Sequence, residues 1–131
     1  MIKTRYSFGK QVDLSFNQAI EKVTELLAEQ GFGILTEIDA SATIKKKIDK
    51  DIPPYKILGA CNPNFAHKAI TNESSIGTLL PCNVLVREDM DGNVIVEFMD
   101  PDAILNLVDN PLVEELSSEV RARLAGVLDN L

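Results

Sequence analysis

The sequence predicts an α+β fold: a mostly antiparallel sheet of about five strands with helices packed mainly on one face. Three observations predict it. Residues 82–88 and 93–99 each alternate apolar with polar side chains, and Asp91-Gly92 between them has hairpin-turn chemistry, so part of the sheet is antiparallel. Helix-period and strand-period stretches follow one another along the whole chain. The first and last helices each carry one apolar stripe and therefore need an apolar surface to cover.

The elements follow in order. Residues 2–8 read as a strand, with Ile2, Tyr6 and Phe8 among Lys3, Arg5 and Ser7. A helix comes next, opened by a capping box of Ser15 and Gln18. Phe16, Ala19, Ile20, Val23, Leu26 and Leu27 form its apolar stripe, and Gly31 is placed to stop it in the left-handed conformation. Residues 33–39 form a second strand, and a short helix around 42–49 carries Lys45, Lys46 and Lys47. Asp51 to Pro54 is a loop, because two prolines exclude a helix and weaken a strand. Residues 55–61 are a third strand. Asn62-Pro63, Asp100-Pro101 and Asn110-Pro111 then repeat one signal: a side chain able to cap free amides, followed by a proline suited to a first helical turn. Helices are accordingly expected from 63, 101 and 111, the last with Leu112, Val113, Leu116, Val120, Leu124, Val127 and Leu128 on its buried side.

A length of 131 residues suits one domain, taken as 1–131, and 45% hydrophobic residues suffice for a core without a disulfide or structural metal. The net charge of −7 argues against nucleic acid and against anionic membrane surfaces, which need clustered Lys and Arg. The lysine triplet is too small a cluster and reads as a solvated helix face. No apolar stretch reaches the roughly 18 residues of a membrane span. The N-terminus lacks a signal-peptide core, so a cytoplasmic location with free thiols is expected.

The two cysteines sit in Ala60-Cys61-Asn62-Pro63 and Leu80-Pro81-Cys82-Asn83. Cys61 immediately precedes a helix cap, where the positive helix end and free amides would favour a thiolate and could receive an anionic or carbonyl oxygen. Against this, an unpaired cysteine is often a small buried hydrophobe. Cys82 shares a strand face with Val84 and Val86, and Cys61 one with Tyr55 and Ile57, so alternation turns both toward the interior. If their strands are antiparallel, both Cys-Asn pairs fall at one end of the sheet, where they could share a pocket. Asn62 reads first as a helix cap. Asn83 needs a hydrogen-bond partner, water or a ligand.

Other candidates are weaker. His67, the only histidine, falls on the polar side of its helix. Two cysteines twenty-one positions apart do not make a zinc signature, so no metal site is expected. Glu37 and Asp39 read as solvating carboxylates, and Arg87 and Glu88 as members of cross-strand pairs. The residues specify no cofactor and no reaction.

Four segments together resemble the DUF302 family: Gly31 to Asp39, Tyr55 to Pro63, Leu79 to Glu88, and Asp100-Pro101. The resemblance covers nearly the whole chain. It implies a TBP-like fold, with a curved antiparallel sheet and helices on its concave face, and a homodimer. It brings no established activity, and fold similarity does not import DNA binding. Ile104 stands where the family pattern often has methionine. Three functions compete on these grounds. The first is small-molecule binding near Cys61, Asn62, Cys82 and Asn83. The second is thiol or redox chemistry with Cys61 as the catalytic residue. The third is a non-catalytic dimeric interaction module.

Overall fold

A computed structural model describes residues 1–131. Its α+β architecture is built on a curved sheet of six strands in the order β1-β2-β6-β5-β4-β3, every neighbouring pair antiparallel. The strands are β1 (Ile2–Lys3), β2 (Ser7–Val12), β3 (Gly33–Asp39), β4 (Tyr55–Cys61), β5 (Cys82–Glu88) and β6 (Val94–Met99). The sixth strand comes from the N-terminus. The expected strand over 2–8 is broken where Thr4 N–H donates to the Ser7 carbonyl at 2.9 Å. The chain then runs on to Val12 because β2 pairs along its length with β6, from Ser7 opposite Met99 to Val12 opposite Val94.

Pleating sends Phe8, Leu58, Val84, Val86, Val96 and Phe98 to one face, where each is almost fully buried. Helix α1 (Phe16–Glu29) covers this face with Ala19, Val23 and Leu27. Its Ser15–Gln18 capping box is formed, and Gly31 ends the segment at φ 85°. Helix α5 (Pro111–Asp129) adds Val120, Leu124, Val127 and Leu128 to the same core. The three Asn/Asp-Pro signals open α3 (Pro63–Asn72), α4 (Pro101–Leu105) and α5, and in each the Asn or Asp side chain accepts from a backbone amide of the first turn. A second, smaller cluster of Ala69, Ile76, Leu105, Val113 and Leu116 packs α3, α4 and α5 together around a 3-10 turn, Ser74–Leu79.

Helix α2 (Ala40–Ile48) starts two residues earlier than the lysine pattern suggested, because Asp39 Oδ1 caps the Ala42 amide at 2.9 Å. It buries no residue, and its three lysines occupy the last turn, where they favour the negative helix end. Lys45 also meets Asp49 at 2.9 Å and Asp51 at 3.2 Å. At the hairpin, Asp89 Oδ1 accepts from both Asp91 and Asn93 amides, which holds Asn93 in the turn and starts β6 at Val94.

Candidate functional site

Strands β4 and β5 are direct neighbours, with Ala60 opposite Cys82 and Gly59 opposite Asn83. Both Cys-Asn pairs therefore lie at one end of the sheet with no strand between them. Beyond that end, α3 and α5 approach the sheet and leave a cavity of about 340 Å³. Cys61, Asn62 and Cys82 line it, with Phe65 and Ala69 from α3 and Leu116 and Val120 from α5. The cavity lies between the two apolar clusters: Ala60, Cys82 and Val120 belong to the larger, and Ala69, Leu105 and Leu116 to the smaller.

Asn83 is not part of this cavity. Adjacent strand residues point to opposite faces, so a buried Cys82 turns Asn83 to the other side of the sheet. There it lines a separate, open groove of about 820 Å³ together with Tyr55, Leu85, Arg87 and Glu97. Four sequence candidates thus divide as three and one. A register shift between Ile34 and Thr36 in β3 also breaks the alternation expected for 33–39, and Leu35 and Thr36 both reach the cavity rim.

The cavity wall has little free polarity. Asn62 is buried, and its Oδ1 accepts from the Asn64 amide at 3.1 Å and the Phe65 amide at 3.4 Å. These are the helix amides that an incoming anion would have used, so the expected oxyanion-type site is already occupied by the cap. Ser117 is fully buried, but its hydroxyl bonds the Glu114 carbonyl at 2.9 Å and Asp102 Oδ1 at 3.2 Å. What remains exposed to the cavity is chiefly hydrocarbon and sulfur.

The thiols differ. Both are free; Cys61 is half-buried and Cys82 is buried. Burial, with Cys61 close by, pushes the Cys82 thiol up from an ordinary 9.0 to about 11. Cys82 is thus held as a neutral thiol near neutral pH and is a poor nucleophile.

The weaker candidates find structural partners or solvent. Glu37 pairs with Lys56 at 2.8 Å. Asp39 caps α2, and the Ala42 amide and Ser41 hydroxyl lower its pKa. His67 is exposed on α3. Arg87 forms the expected cross-strand pair, meeting Glu97 of β6 at 2.7 Å, whereas Glu88 makes no ion pair. No three His, Cys, Asp or Glu side chains are grouped to hold a metal ion, and no helix is long and apolar enough to cross a membrane. The wall residues Phe65, Leu116 and Val120 carried no site signal in the sequence. Helix periodicity marks a residue as inward-facing without saying whether it meets packing or space.

A family profile described as "Domain of unknown function DUF302" matches residues 8–131. A crystal structure of an uncharacterized conserved DUF302 protein from Bacillus stearothermophilus superposes with a TM-score of 0.89 at 25% identity, covering 96% of this chain and 98% of that one. No curated protein matches the sequence.

Proposed function

The chain belongs to the DUF302 family, whose description assigns no function, and on that premise we propose that it binds a small apolar molecule in the cavity between α3, α5 and the sheet end. One observation carries this reading: a space of about 340 Å³ whose walls are apolar and in which Asn62 Oδ1 and the Ser117 hydroxyl are already bonded within the chain. That size lies at the lower end of the roughly 300–1,000 Å³ typical of small-molecule sites. A ligand there gains from burying hydrocarbon, and a charged group inside would lose its hydration without a partner. Binding of 1-naphthol, followed by amide chemical shifts, tests this. The shifts should centre on Cys61, Phe65 and Leu116. Ala66→Leu or Ala69→Phe should abolish them while the rest of the spectrum persists. Absent binding, or binding that survives both filled cavities, would reject the proposal.

Cys61 supports a second reading. Its thiol is half-buried on the wall of that same cavity, where a bound electrophile would meet it. A third reading, the homodimer, is supported by edge strand β3, where Leu35 is 68% and Ile38 49% exposed. Sedimentation of the wild type against Leu35→Lys tests it. Treating 1–131 as one domain is supported by the core that joins Phe8 to Leu128.

A further inference from the structure

The sheet face opposite α1 holds an ion pair with few structural duties. Arg87 and Glu97 lie on neighbouring strands and meet at 2.7 Å through Arg87 Nε and Glu97 Oε1. Glu97 is nearly buried, its side chain 11% exposed, whereas that of Arg87 is 27% exposed. Arg87 makes its single side-chain hydrogen bond through Nε, which leaves both terminal nitrogens without a partner in the chain. Both residues line the groove of about 820 Å³. Asn83, two residues before Leu85 on the same face, makes no side-chain hydrogen bond and lines the groove as well. Tyr55, Leu85 and Met99 supply apolar wall.

We propose that this groove is a second binding site, for a small singly charged carboxylate with an apolar body. A guanidinium presents its two terminal N–H groups as a parallel pair that matches the two oxygens of a carboxylate. Glu97 occupies the Nε side of Arg87, fixing the orientation of the guanidinium and leaving the terminal edge free. Asn83 offers an additional N–H donor, and the tyrosine and aliphatic walls take the hydrocarbon. The charge of Glu97 and the net −7 of the chain select against anions of higher charge. The site is distinct from the cavity beyond the sheet end, although Leu80 and Pro81 border both.

Benzoate, neutral benzamide and cationic benzylamine, titrated into the full chain and followed by amide chemical shifts, test the proposal. Benzoate should shift Asn83, Leu85, Arg87 and Glu97 with a Kd on the order of 1 mM. Benzamide and benzylamine should bind at least about tenfold more weakly, as expected when a charge-assisted hydrogen bond is lost. Arg87→Lys keeps a positive charge beside Glu97 but lacks the paired donors, and it should weaken benzoate about tenfold. Asn83→Ala leaves the ion pair in place and should weaken benzoate at least about threefold. Ala66→Leu, which fills the other cavity, should leave benzoate binding unchanged. Equal shifts from benzoate and benzamide would overturn the proposal, as would shifts centred on Phe65 and Leu116. Wild-type affinity in both a folded Arg87→Lys chain and Asn83→Ala would also overturn it.

Discussion

Replacing Cys82 with alanine should remove a defined part of the alkaline sensitivity of the fold. Cys82 is 8% exposed among Val84, Ala60 and Val120, and its thiol is pushed from 9.0 to about 11 in the folded chain. The folded-state value lies above the unfolded one. The folded protein therefore keeps its proton between about pH 9 and pH 11, while the unfolded chain gives it up. Stability is fully present below pH 9 and falls as pH rises through that window. From the two pKa values, the wild type should lose about 1.3 kcal/mol through this group between pH 8 and pH 10. Cys82→Ala lacks the titration, and the lysines and tyrosines common to both chains cancel in the difference. At pH 8 the variant should be less stable by about 1 kcal/mol for the lost sulfur contacts. Urea unfolding of both chains across this range measures the effect. The gap should close, and by pH 10 the two stabilities should nearly meet. Parallel pH dependences would refute the premise that Cys82 is buried as a neutral thiol.

Asn62→Ala should cost about 1–2 kcal/mol, because it removes the cap from the Asn64 and Phe65 amides, and Asn62→Asp should restore most of it; denaturant midpoints at constant m measure both. Gly9→Ala should destabilise by about 3 kcal/mol or more, since a Cβ there would clash with the Val96 carbonyl oxygen and lie 2.7 Å from Glu97 Cα, which only a backbone shift relieves. Iodoacetamide at pH 8 should modify Cys61 before Cys82 in the folded protein, with peptide mapping to assign the sites; faster labelling of Cys82 would remove the thiol reading of Cys61.

Local chemistry made much of the fold legible. The repeated Asn/Asp-Pro signals place three helix starts because capping and proline geometry need only neighbouring residues. Gly31 and Asp91-Gly92 mark their turns for the same reason, with Gly92 at φ 81°. The division of Cys82 from Asn83 was also written in the period of two, since one inward residue implies an outward neighbour. Membership in the family followed from motifs spread along most of the chain.

Other features depended on residues far apart in sequence. The extent of β2 was set by pairing with β6, which lies more than eighty residues away. The shift at Leu35 and the position of β3 at the sheet edge arose from its register against β4. The partnership of Arg87 with Glu97 required the β5–β6 register. Whether Phe65, Leu116 and Val120 enclose space or fill it was decided by how far α3 and α5 stand from the sheet end. A stripe of apolar residues states that a helix must be covered. Only the distances between packed elements decide whether the covering is complete, and that difference separates a core from a cavity.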